Sequence, residues 1–369
     1  MAGKETTIPA PRPGVLKIRS HTQGASKVED LTNPIKLSAN ESSLGPSPAA
    51  LDAYHEASAT LHRYPDGNQT ALRTAIAQVF DLNADNIVCG NGSDELIQLV
   101  TRAFVGEGDE VLMSENCFVM CRIHALAQGA EVVVAPEKND RVDVDALLER
   151  VTEKTRLLPL ANPNNPTGTY LSADEVCRLH DGLPGKVILL LDAAYAEFVT
   201  AADYCSGADL VLSNDNVVMT RSFSKVFGLS ALRIGWAYMP TAMLNALQRI
   251  RTPFNANGPA MAAAAAAVRD TAYADMIRQH NARSLETISK RLSVLGLHVV
   301  PSVANFYLIR FPQDCGMSAT EACRHLQAEG IIPRPTGSDN DTELRITVGS
   351  DAENEAVLRT FETFMKPFV

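Results

Sequence analysis

The chain has little of what would tie it to a polyanion, a membrane or an oxidising compartment. Its 33 Lys and Arg are outnumbered by 43 Asp and Glu, which leaves a formal net charge of −10. No overall basic field exists to gather nucleic acid or an anionic lipid surface, so affinity for a small anion must come from a few placed arginines. The longest run of small apolar residues, 259 to 268, is too short to span a bilayer, and residues 1 to 14 carry Pro, Thr and Lys without the apolar core of a secretory signal. The seven cysteines (Cys89, Cys117, Cys121, Cys177, Cys205, Cys315 and Cys323) are odd in number and scattered. They form neither a Cys-x-x-Cys pair nor the His/Cys spacing of a zinc site, which predicts reduced, mostly structural thiols, no metal and a cytoplasmic protein.

What is present is globular. A hydrophobic content of 46% and a charged content of 21% exclude disorder. At 369 residues the chain exceeds the ~250 to 300 at which a single core stops growing, so one large and one smaller domain are expected. Pro9, Pro11, Pro13 and Pro34 make the first 34 residues irregular, before a short strand at 35 to 38. Helices are predicted over 48 to 61 and across a second stretch with Leu72, Ile76 and Val79 on one face. Between them the turn Arg63-Tyr-Pro-Asp-Gly67 exposes Tyr64. From residue 86 the rhythm is strand, loop, helix, with strands at 86 to 89, 110 to 113, 131 to 135, 156 to 160, 187 to 191 and 217 to 220; a mostly parallel α/β sheet satisfies it. A long helix at 273 to 295, strands at 305 to 310, 331 to 334 and 343 to 348, and a closing helix from 351 predict a small α/β unit.

The polar motifs fall at the carboxyl ends of these strands, where ligands of open parallel sheets bind. Gly90-Asn-Gly-Ser-Asp-Glu95 opens a helix after a strand, so Ser93 and Asp94 stand where backbone N–H groups face a phosphate; alone, the same motif is equally a tight βα turn. Asn162-Pro-Asn-Asn-Pro-Thr-Gly168 fixes an extended loop that aims Asn165. The strand ending in Asp192-Ala-Ala-Tyr195 places a carboxylate at the end of an apolar run, where it needs a partner or must cap a helix. In Ser222-Phe-Ser-Lys225, with Arg233 eight residues on, two hydroxyls and a guanidinium can hold a phosphate while the Lys225 amine condenses with an aldehyde. Together these describe an anchor for pyridoxal phosphate. Asp192 would keep the ring nitrogen protonated, and Asn165 and Tyr195 would hydrogen-bond the ring oxygen.

In this order the motifs resemble the fold-type I pyridoxal phosphate enzymes, and among them the histidinol-phosphate aminotransferase family. The resemblance runs from about Val15 to the C-terminus and is carried also by Leu37-Ser-Ala-Asn-Glu41 and Leu344-Arg-Ile-Thr-Val-Gly349. It implies a large domain (45–261) with a central, mostly parallel seven-stranded sheet, and a smaller α/β domain built from residues 1–44 and 262–369. It implies a homodimer with the site at the subunit interface, where Tyr64 reaches the neighbour's cofactor phosphate and Phe118 stacks on the pyridine. By sequence alone Phe118 is equally a core aromatic. The resemblance further implies that Arg345, Arg334 and Asn40 meet the substrate, with histidinol phosphate and 2-oxoglutarate as the reactants. Two departures stand out: Ser20-His-Thr-Gln-Gly24, where the family often carries an aromatic residue, and the polar loop 335 to 341. They make an aromatic amino acid aminotransferase the alternative, followed by a threonine-phosphate decarboxylase.

Overall fold

The structure, a computed structural model, describes residues 9–19, 33–311, 318–336 and 341–366; the segment 20 to 24 lies outside them. Seven strands form the central sheet: β1 (Ile87–Gly90), β2 (Glu110–Ser114), β3 (Glu131–Ala135), β4 (Thr155–Ala161), β5 (Ile188–Asp192), β6 (Val217–Ser222) and β7 (Gly235–Tyr238). Their order is β1-β7-β6-β5-β4-β2-β3. Every neighbouring pair is parallel except those of β7, which runs antiparallel to both β1 and β6. The α/β class and the mostly parallel seven-stranded sheet are therefore as expected, while β7 is an element that the strand pattern misses. It has only four residues and follows the Lys225 loop without turn punctuation.

The sheet is buried on both faces because its strands alternate large aliphatics between two cores. Leu189 and Leu191 belong to the core that also holds Ala260, Ala264 and Val268, whereas Ile188 and Leu190 belong to the core that holds Leu96, Val100 and Leu247. The helix Gly92–Phe104 is amphipathic, with Leu96, Ile97, Leu99 and Val100 buried. The helix Pro48–Ala57 starts where Ser47 accepts from the Ala50 N–H and proline occupies the first turn, and it stops short of the expected 61 in a 3₁₀ turn. Register places Gly90, Ala161, Asp192 and Ser222 at one edge of the sheet, with Gly235 at the start of antiparallel β7 beside them.

A second, antiparallel sheet is built from β8 (His298–Val300), β9 (Phe306–Arg310), β10 (Arg334–Thr336) and β11 (Glu343–Thr347) in the order β8-β9-β11-β10. It packs through Tyr307, Ile309, Leu344 and Ile346 onto helices Thr271–Val294, Ala319–Ala328 and Asp351–Met365, whose Ile288, Leu326 and Phe361 share its core. The N-terminal segment joins here: Ile35–Lys36 pairs in parallel with Ile331–Ile332, and the Thr347 N–H donates to the Leu37 carbonyl at 2.9 Å. The helix Gly258–Arg269, within which the expected boundary at 262 falls, packs as one piece against the large-sheet core through Ala260, Ala264 and Val268. Arg310 of β9 bridges the two sheets' surroundings by an ion pair with Asp140 and a second, 2.7 Å, with Glu343. Among the described residues no helix is long and apolar enough to cross a membrane.

Candidate active site

The Gly92–Phe104 helix, the β6 end and the start of β7 close into a cup. A Cβ built on Gly235 would stand 2.4 Å from the Ser93 nitrogen, and one on Gly92 would stand 2.5 Å from the Arg233 guanidinium. Only glycine lets these backbones and the arginine approach so closely, and Gly92 also has φ +80°. Arg233 is held by Nη1 donating to Ser224 Oγ at 3.2 Å and to the Ser230 carbonyl at 3.1 Å, while Ser222 Oγ accepts from the Ser224 N–H at 3.1 Å. Ser93, Ser222, Ser224 and Arg233, named from the sequence, thus meet at a positive helix end. The Asp94 carboxylate is taken up by His124 Nε2 at 3.0 Å, so its contribution to the cup is its backbone and not its charge.

Lys225 sits at the rim. Its Nζ donates to the Asn40 carbonyl at 3.2 Å and stands 5.4 Å from the Tyr195 ring centre. Asn40, expected on the substrate side, has both side-chain atoms engaged: Nδ2 donates to Tyr195 Oη at 2.9 Å and Oδ1 accepts from Thr347 at 3.3 Å. Because Tyr195 Oη accepts here, its own O–H is left to donate to a ring oxygen. Asp192, only 8% exposed, accepts from Thr220 Oγ1 at 3.0 Å. Burial pushes its carboxyl up from 3.8 to about 6, with the Thr220 bond and Lys225 opposing that rise and Asp94 adding to it. A carboxylate in this position is stabilised by a cationic N–H partner such as a protonated pyridine.

Arg345 on β11 is buried, with Nη1 donating to Asn165 Oδ1 at 2.5 Å and Nη2 to the Ser38 carbonyl at 2.9 Å. Burial pulls its pKa below the usual guanidinium value, with the nearby Arg334 lowering it further. The β10–β11 register sets Arg334 directly across from Arg345. With the Asn165 oxygen committed to Arg345, the amide N–H groups of Asn165 remain as donors. The site therefore offers an anion cup, an amine, two donors for one ring oxygen, a carboxylate that needs a cation and a guanidinium pair, and these fit pyridoxal phosphate and an anionic amino substrate.

The model of the aminotransferase class I and II family matches residues 32–361. The chain belongs to this family. It is similar to the histidinol-phosphate aminotransferase of Paramagnetospirillum magneticum, 49% identical over 97% of this chain and 99% of the relative, and to that of Maricaulis maris, 48% identical over 96% and 99%. It is also similar to the crystal structure of histidinol-phosphate aminotransferase from Sinorhizobium meliloti in complex with pyridoxal 5′-phosphate, with a TM-score of 0.87, 27% identity and coverage of 99% of this chain and 100% of that one.

One of the named residues of this aminotransferase, Tyr64, stands apart from the cluster in this chain. Tyr64 is 84% exposed and stacks on Phe254 at 4.8 Å. Phe118 caps the helix Val119–Gln128 and packs, half-buried, against the core that includes Met113 and Ala125. The sequence reading assigned no role to Thr220, Thr347, Ser38 or the pair Glu197–Arg221. Thr220 is found by register, since it lies across from Asp192. The pair could have been suspected, because Glu197 follows Asp192-Ala-Ala-Tyr195 by two residues and Arg221 immediately precedes Ser222-Phe-Ser-Lys225.

Proposed function

We propose that this aminotransferase transfers the amino group of L-histidinol phosphate to 2-oxoglutarate, giving imidazole acetol phosphate and L-glutamate in histidine biosynthesis. The reading is carried by Arg345, a buried guanidinium fixed by Asn165 and Ser38 and faced across the strand by Arg334. It is supported by relatives at 46 to 49% identity that bear the name of that enzyme. When bound, pyridoxal phosphate supplies an aldehyde for condensation with amines and a ring that takes up the electron pair released at Cα. The chain's own residues do the rest. Ser93, Ser222, Ser224 and Arg233 hold the phosphate, Asn165 and Tyr195 donate to the ring oxygen, and Asp192 keeps a proton on the ring nitrogen. Phe118 covers the ring face. The Lys225 amine removes and returns the Cα proton, while Arg345 takes the glutamate carboxylate and, with Arg334, the phosphate arm of the other substrate.

Arg334→Ala should reduce kcat/KM for histidinol phosphate more than for glutamate, by on the order of 1.5 to 3 kcal/mol for a lost charged hydrogen bond. Single-turnover rates of the two half-reactions measure it, and equal losses would remove Arg334 from substrate choice. Comparing kcat/KM for L-histidinol phosphate, L-phenylalanine, L-tyrosine and L-threonine phosphate tests the substrate itself. A preference for phenylalanine or tyrosine overturns the reading in favour of an aromatic aminotransferase.

The same reading makes the protein a cytoplasmic homodimer in which exposed Tyr64 reaches the partner's phosphate cup; six described cysteines as free thiols support the compartment. It divides the chain into a large unit that runs through Arg269 and a small unit formed by the N-terminal segment and the remainder. Light scattering should give twice the chain mass. A monomer with unimpaired cofactor affinity would exclude Tyr64 from the cup.

A further inference from the structure

Behind the site lies a charged pair that the chemistry above does not use. Arg221, the residue before Ser222, and Glu197, two residues after Tyr195, have side chains only 8% and 9% exposed. Arg221 reaches one oxygen of Glu197 with both Nε, at 3.1 Å, and Nη2, at 2.8 Å. Its guanidinium lies 4.2 Å from the centre of the Phe80 ring and 5.6 Å from that of Trp236, and those rings stack on each other at 5.6 Å. Tyr204 is a titratable group within electrostatic reach of this pair, and its hydroxyl donates to the Asn162 carbonyl at 2.8 Å.

Burying two charges is expensive, and an apolar pair of similar volume usually serves stability as well. What a fork against a carboxylate adds is fixed geometry. Here it ties together two chain segments that leave adjacent parallel strands toward the cofactor. Arg221 is part of β6, four residues before Lys225. Glu197 belongs to the one-turn 3₁₀ segment Ala196–Phe198, whose N-cap is Tyr195. Between the strands themselves the link is Thr220–Asp192 and the bond from Ala193 N–H to the Thr220 carbonyl. Beyond the end of β5, Glu197–Arg221 continues the tie from within β6.

We propose that Glu197 and Arg221 are positioning residues that hold the Tyr195 hydroxyl and the Lys225 amine in register over the cofactor. The proposal rests on the assignment of Tyr195 and Lys225 to the cofactor, and it adds that the reach of the pair matters and not its charge alone.

Glu197→Asp keeps the charge but shortens the reach by one methylene, whereas Glu197→Gln keeps the reach and an accepting oxygen. With the holoenzyme, the pH midpoint of the bound cofactor's visible absorbance should rise by about half a unit or more in Glu197→Asp, because the Tyr195 donor no longer neutralises the ring oxygen. In the same variant kcat should fall by on the order of 10²-fold, as for a misplacement of about 1 Å. Glu197→Gln should lose thermal stability yet keep the wild-type midpoint. Arg221→Lys, which keeps the positive charge and loses the fork, should repeat the Glu197→Asp shift and serves if that variant does not fold. A wild-type midpoint in both Glu197→Asp and Arg221→Lys overturns the proposal, as does a Glu197→Gln midpoint displaced as far as theirs. Failure of the wild-type protein to develop any visible band would instead overturn the cofactor assignment beneath it.

Discussion

Lys225→Ala should leave a folded protein whose transamination falls by at least ~10² to 10⁴-fold, the usual contribution of a positioned acid–base group. The amine is the group that this reading assigns to the Cα proton. Its Nζ is held by the Asn40 carbonyl at 3.2 Å and lies over the Tyr195 ring, and a phenol that donates to a ring oxygen cannot also carry a proton to and from Cα. The phosphate cup is made without Lys225, by the Gly92–Phe104 helix start, Ser222, Ser224 and Arg233, so cofactor affinity should fall much less than turnover. Equilibrium dialysis of cofactor set against single-turnover rates separates the two. Borohydride reduction of the wild-type holoenzyme should fix the pyridoxyl label on Lys225. Recovery of the label on another lysine defeats the assignment.

Asp192→Asn should slow Cα proton removal by on the order of 10² to 10³-fold, the scale seen when one preorganised charge partner is removed. An amide of the same shape fills the space but does not hold a proton on the ring nitrogen. The substitution also has a signature in the cofactor-free protein. Burial raises the Asp192 carboxyl from 3.8 to about 6. Between those pH values the folded chain keeps a proton that the unfolded chain has released. The stability of the cofactor-free protein therefore falls as pH rises from about 4 to about 6, by on the order of 3 kcal/mol, and stays lowered above that window. Asp192→Asn abolishes this component, so the cofactor-free variant should gain in Tm on the wild type as pH is raised from 4 to 7. Parallel Tm profiles for the two would show that Asp192 carries no such burden.

The legible parts of this protein are those where one local signal has one structural meaning. The aliphatic run before Asp192 can only be a strand buried on both faces, and it is; its final carboxylate required a partner and gained Thr220. The glycines at 90 and 92 and the Ser222-Phe-Ser-Lys225 stretch announced a cup, which the Gly92 and Gly235 approaches close. Less legible was what depends on strand register. Nothing in residues 235 to 238 marks an antiparallel strand, yet β7 separates β1 from β6 and brings Gly235 against Ser93. Asn40 was placed with the substrate because its motif travels with the family; that its amide also supports Tyr195 was not legible. Such long-range hydrogen bonds leave no periodicity in the chain. The Arg334–Arg345 opposition is intermediate: both residues were singled out, and register alone set them across from each other.

The stitching of residues 35 to 40 onto the last strands bears on how this enzyme is made. Asn40 and Thr347 are 307 positions apart in the chain, as are Ser38 and Arg345. During synthesis the N-terminal segment emerges first and cannot make these two bonds until β11 has left the ribosome, by which time the large sheet has had all its own strands for more than a hundred residues. The bonds that fix the backbone beside Asn40, whose carbonyl closes the Lys225 rim, are therefore late to form. Nascent chains halted before residue 343 should have the phosphate cup and no grip on the substrate carboxylate, which arrives only once Arg345 has emerged.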